Sequence, residues 1–155
     1  MRPLFPKDFR NDVLLDNLVM SVDQDCSPEL LAMLGSSLAT AISNVPWDGP
    51  CASTQVGMIN GEFIINPTNA EKTVSDLNLT VASTRDKVIM IEAGANCISD
   101  DQMIEAIYKA DEINKQIISF FDSIIAECGK EKTPYESYAV PQALFDKIKS
   151  IVPEE

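Results

Sequence analysis

Cys51-Ala52-Ser53-Thr54-Gln55-Val56-Gly57-Met58-Ile59-Asn60-Gly61-Glu62-Phe63-Ile64-Ile65 reads as two strand-forming arms around an Asn-Gly pair. Asn60-Gly61 tolerates the positive φ angles of a type I′ turn, so the stretch predicts a β-hairpin with strands over residues 51–59 and 62–65. Working outward, Asn66-Pro67-Thr68 breaks the second strand, and a short polar piece of helical character spans residues 69–74. A second hairpin is predicted within residues 76–95, with arms over 77–82 and 87–92 turning at Thr84-Arg85-Asp86 and closed by Gly94-Ala95-Asn96.

Helices flank the two hairpins. Ser99-Asp100-Asp101-Gln102 is a capping box, and behind it Met103, Ile107, Ala110, Ile113, Ile117, Phe121 and Ile124 recur every three or four residues almost to Cys128-Gly129. A stripe of this length reads as core packing, not as a cofactor box. On the other side, Ser27-Pro28-Glu29 combines an N-cap, a proline at the first helical position and an early acid. Leu30, Leu31, Leu34, Leu38, Ala41 and Ile42 follow at helical spacing, while Ala32, Gly35, Ser36 and Ala39 keep part of the surface small enough to lie close against a sheet. Pro46-Trp47-Asp48-Gly49-Pro50 stops that helix. Residues 13–22 carry seven apolar side chains without helix-length periodicity and predict a strand buried on much of its surface.

The fold class expected is α+β, a mixed sheet packed by two main helices. Residues 1–129 form the folded unit. After Gly129 the composition turns to Lys, Glu, Thr and Pro, so residues 130–155 read as a linker and a small helix, over 140–151, entering a further domain. With 155 residues, 45% of them hydrophobic, the chain can bury one sizeable core but not two ordinary domains.

Charge and composition exclude several functions. Twelve cationic against 24 acidic residues give a net charge of −12, and tight nucleic-acid binding needs clustered cations that this chain lacks. No run approaches the apolar length of a membrane span, and the first residues lack the layout of a signal peptide. The expected setting is cytoplasmic. Cys26, Cys51, Cys97 and Cys128 are widely spaced, and without histidine they complete no zinc site, which leaves four reduced thiols.

The absence of histidine also removes the commonest general base. Ser36 and Ser37 sit inside a predicted helix without a base at hand, and neither a GxxxxGK[ST] phosphate loop nor a GxGxxG fingerprint is present. Asp23, Asp25 and Glu29 form the densest acidic site, at a strand-to-helix junction. A helix N-terminus suits an anion, and three carboxylates repel one. They read as helix-capping acids on a solvated turn, with a divalent-cation site as the alternative.

Taken together, the order strand, helix, hairpin, hairpin, long helix, with Arg2-Pro3-Leu4-Phe5-Pro6, Asn66-Pro67-Thr68 and Glu92-Ala93-Gly94-Ala95, resembles the first RNase PH-like domain of polynucleotide phosphorylase. The likeness runs from Arg2 to about Gly129, and the tail resembles the start of the all-helical linker that follows that domain. It implies an RNase PH-like, ribosomal-protein-like β-α-β fold whose N-terminal half lies upstream of Met1. The sheet is then expected to expose an edge or face, and the isolated chain to self-associate or bind a partner supplying strands.

The resemblance implies a phosphorolytic 3′–5′ exoribonuclease, a polyribonucleotide nucleotidyltransferase, acting on RNA and inorganic phosphate with Mg2+ or Mn2+, in a trimeric ring. In the family that chemistry belongs to the second copy, with its Ser-rich loop and Asp-x-Lys; the first copy is degenerate and serves RNA contact and assembly. This chain has Asp23-Gln24-Asp25-Cys26-Ser27-Pro28 for the loop, Asn78-Leu79-Thr80 for Asp-x-Lys, and Gln55 for the first copy's usual arginine. No catalytic residue and no metal ligand is therefore assigned, and the chain alone is expected to be inactive. Arg2 is the one cation marked for RNA or phosphate contact, with an anchoring salt bridge as its other reading. A standalone, non-catalytic binding or assembly module remains the alternative to a part of the enzyme.

Overall fold

The computed structural model describes residues 1–23 and 25–152. After a 3-10 turn at Arg2–Leu4 come α1 (Pro28–Ile42), β1 (Ala52–Ile59), β2 (Glu62–Ile65), α2 (Asn69–Val74), β3 (Leu77–Ser83), β4 (Val88–Ala95), α3 (Asp100–Cys128) and α4 (Gln142–Ile151). The four strands make one sheet in the order β2-β1-β3-β4. Every pairing in it is antiparallel.

Both hairpins form where their turn chemistry places them. Asn60 and Gly61 take φ of 53° and 82°, the left-handed pair that lets Ile59 face Glu62 across the turn. The second hairpin has the expected extent of residues 76–95, but its second arm is longer than expected, because β4 pairs through Ala95, opposite Leu77, and Asn96 N–H still donates to Asp76 O. Ser99 caps α3 as its capping box requires, and Thr68 with Glu71 builds a second such box that starts the short α2.

Along β1 and β3 alternate residues point to opposite faces. Val56 and Met58 meet Leu77, Leu79 and Val81 in a core that Ala106 and Ala110 of α3 close. Those alanines bring the helix backbone near the sheet, and each buried Leu or Val contributes roughly 1.5–3 kcal/mol. Beside this core Asn114 is fully buried, together with the hydroxyls of Thr54 and Ser83. Its amide donates to Val81 O (3.0 Å) and Ser83 Oγ (2.8 Å), and its carbonyl accepts from Thr54 Oγ1 (2.8 Å).

A second apolar cluster gathers Ala41, Trp47 and Cys51 with Leu4, Phe5, Ile89 and Ile125. Here the Arg-Pro-Leu-Phe-Pro run folds back on the turn after α1: Trp47 Nε1 donates to Met1 O (3.1 Å) and Asp48 N to Leu4 O (2.9 Å). A Cβ at residue 49 would collide with the Trp47 ring, so glycine is required there.

Residues 13–22 are not a buried strand. The segment is unpaired, and its exposure alternates: Val13 and Leu15 are 39% and 41% exposed, Leu14, Leu18 and Met20 89%, 80% and 84%. The period of two shows extended backbone with one side leaning inward, where Asn17 and Ser36 of α1 exchange hydrogen bonds of 3.0 and 3.1 Å. Burial of the other side needs a neighbouring strand, and pairing is a non-local property that an apolar run cannot specify by itself. Without that strand the sheet is antiparallel throughout instead of mixed.

Candidate functional site

The sheet face turned away from the Val56–Leu79–Val81 core carries the residues that the sequence reading compared with the catalytic pattern. Gln55 lies directly across from Thr80, and Gly57 from Asn78, so Gln55, Asn78 and Thr80 share this face. Thr80 is in turn opposite Glu92 on β4. Gln55 is held at its backbone, its N–H donating to Asn66 Oδ1 (3.1 Å) and its carbonyl accepting from Asn66 N (2.8 Å). Asn66, at φ 52°, turns the chain after β2 to make this possible.

The result is a row of neutral amides and a hydroxyl with one carboxylate at its margin. Such groups donate and accept hydrogen bonds. They supply neither the paired carboxylates that hold a divalent cation against a phosphate nor a cation to neutralise phosphoryl charge. Glu92 entered the sequence reading only as part of a motif; the β3–β4 register, a long-range property, is what sets it beside Thr80.

One step along the same face from Gln55 and Thr80 come Ser53 and Ala82, again a cross-strand pair. They floor a groove of about 500 Å³ whose walls include Met33 of α1, Ile89 and Met90 of β4, and Arg2. Arg2 is exposed and makes no ion pair among the described residues. The fold therefore brings the one singled-out cation to the Ala82 end of the neutral row, through the 3-10 turn that the second apolar cluster holds in place.

The acidic junction is occupied by local hydrogen bonds, although Ser27, at the N-cap of α1, makes no side-chain capping bond. Asp23 Oδ1 accepts from Asp25 N (3.0 Å), and Ser27 Oγ donates to the Glu29 carboxylate. That hydroxyl, with the Glu29 backbone amide, holds the Glu29 carboxyl below its ordinary pKa. Gln24 lies outside the described residues. Among the described residues no group of three or more Asp, Glu, Cys or His side chains is placed to hold a metal ion. Ser37 Oγ is engaged by Cys51 N–H (3.0 Å) and Ser36 by Asn17, so both serines are structural. Of the four thiols, Cys51 is buried and the other three are exposed.

Comparison with known proteins agrees with this geometry. Residues 49–112 match the family described as "3' exoribonuclease family, domain 2". The polyribonucleotide nucleotidyltransferase of Lachnoclostridium phytofermentans is 64% identical over 155 residues, all of this chain and 22% of that protein. The one from Caldicellulosiruptor saccharolyticus is 48% identical over the same 155 residues, again 22% of its length. The crystal structure of rice (Oryza sativa) Rrp46 superposes with a TM-score of 0.60 at 16% identity, covering 68% of this chain and 51% of that one, a likeness of fold. Over its whole length the chain is thus similar to a part, about a fifth, of these polyribonucleotide nucleotidyltransferases, carries a match to the 3' exoribonuclease family over residues 49–112, and is built on an RNase PH-like α+β fold.

Proposed function

We propose that the chain is the structural and RNA-contacting portion of a phosphorolytic 3′–5′ exoribonuclease that degrades RNA, and that it carries no catalytic residue. The observation that bears most weight is the neutral row Gln55, Asn78, Thr80 on the sheet of a chain that aligns along its whole length with about a fifth of such an enzyme. Phosphorolysis works by positioning phosphate and a metal ion against the RNA end. In this reading Mg2+ or Mn2+ and inorganic phosphate are bound elsewhere in a cytoplasmic, trimeric parent enzyme, and the chain corresponds to the first of its RNase PH-like domains. Arg2 contacts the RNA backbone, its exposure and its lack of an ion pair among the described residues leaving it available for a phosphate.

The test is direct. Incubated with RNA, phosphate and Mg2+, the 155-residue chain should release no nucleoside diphosphate above a no-protein control; release above that control overturns the non-catalytic assignment. Arg2→Ala should weaken binding of single-stranded RNA about equally for all sequences and lower the salt slope by about 1.

A second reading, a non-catalytic assembly module that works by itself, is favoured by the exposed extended segment at residues 13–22. An immunoblot of source cells separates the two. A band several-fold larger than 17.0 kDa supports the enzyme, and a band at 17.0 kDa the module.

A further inference from the structure

Residues 130–138 leave α3 as a strap across the body of the molecule, and their anchors are polar and specific. Lys130 N–H donates to Ile42 O (2.9 Å) and Thr133 N–H to Asn44 O (2.8 Å), while Asn44 Nδ2 donates to Thr133 Oγ1 (2.8 Å). Between them the Lys132 ammonium reaches the open C-terminal end of α1 and donates to Thr40 O (3.2 Å), Ala41 O (2.8 Å) and Ser43 O (2.8 Å). The last carbonyls of a helix have no partner within it and carry the negative end of its dipole, so a lysine with three donors is a fitting cap. The cap comes from about ninety residues downstream, because α1 has no basic residue in its own last turn.

A second anchor lies at Asp8. Its carboxylate accepts from Tyr135 Oη (2.9 Å) and from Ser137 Oγ, and its carbonyl accepts from Tyr138 N (3.1 Å). The Tyr135 ring stands edge-on to Phe9 at 5.3 Å; Phe9 stacks on Phe5 at 5.8 Å, and Phe5 meets Trp47 at 6.3 Å. Beyond the strap, α4 buries none of its side chains.

We propose that residues 130–138 are a two-point latch, in which Lys132 on the end of α1 and Asp8 on the N-terminal turn fix the direction in which the chain leaves for α4. Opening either point frees the strap while the sheet and its helices stay folded. Neutralising Lys132 removes the charge and donors that satisfy three carbonyls at once, so the Lys132 point is the one through which the latch can be switched.

Hydrogen exchange of the whole 155-residue chain, read by mass spectrometry, tests this. In the native chain the hydrogen-bonded amides of Lys130, Thr133 and Tyr138 should exchange slowly. Lys132→Met should speed exchange of peptides from 130–138 at least tenfold and leave peptides from β1 and β3 unchanged, while Lys132→Arg should restore most of the protection. Asp8→Asn combined with Tyr135→Phe should free the 135–138 end in the same way without touching the sheet. Unchanged strap exchange in Lys132→Met overturns the latch. So does loosening of β1 and β3 together with the strap, which would make Lys132 an ordinary stabiliser of the whole domain. Should Lys132→Met fail to fold, the Asp8 and Tyr135 pair decides by the same two criteria.

Discussion

Asn114 shows how one polar side chain can fix a helix on a sheet. It uses both amide hydrogens and its carbonyl on partners from β1 and β3, with no exposure to water. Only one rotation and one height of α3 satisfy all three partners, whereas the apolar contacts around it tolerate sliding. Asn114→Ala leaves a buried carbonyl and two hydroxyls without their partner and should cost about 2–4 kcal/mol in urea denaturation. An unchanged midpoint would mean that water takes its place. The sequence did contain a signal: Asn114 interrupts an apolar stripe, four residues after Ala110 and four before Ile118. Asp8 offers a second test at this scale. Hydrogen bonds from Ser137, then Tyr135, hold its carboxyl below the ordinary 3.8. Its stabilising contribution is then complete above that ordinary value and lost as pH falls through the lower, folded-state one. A carboxyl titration by NMR should place its midpoint under 3.8, and Ser137→Ala should raise it more than Tyr135→Phe.

At the scale of elements, what was legible in the sequence was local. The Asn60-Gly61 turn and the Ser99–Gln102 box fall where neighbouring residues dictate them, and Gly61→Ala, forced to φ 82°, should cost about 1–2 kcal/mol in thermal or urea unfolding. The Thr68–Glu71 box went unread because its helix is only six residues long. Residues 13–22 were read rightly as extended and wrongly as buried and paired, since the pattern fixes the backbone and not the neighbour. That segment, with both backbone edges open and Leu14, Leu18 and Met20 outward, is a template for strand pairing. The chain should therefore self-associate in sedimentation, and the double variant Leu14→Lys, Leu18→Lys should shift it toward monomer with little change in stability. Loss of the fold in that variant would show that the outward side chains are part of the core after all.

Across the whole molecule, the candidate site was legible in its residues and hidden in its arrangement. Gln55, Asn78 and Thr80 were picked out individually, but the β1–β3 register puts them on one face and the folded-back N-terminal turn brings Arg2 to its end. The latch was invisible for the same reason, its partners lying about ninety or more positions apart. One further relation joins distant parts of the molecule. At 29 residues α3 is about 44 Å long, against about 27 Å for the eight residues of β1. Ala106 and Ala110 lie in the core under the sheet, while Ile125, about four turns on, lies in the cluster around Trp47. A single rod is thus the common wall of two cores, so neither can melt alone: a lesion between Ala110 and Ile125 is felt at both ends, and heating should show one transition where two clusters of side chains might have given two.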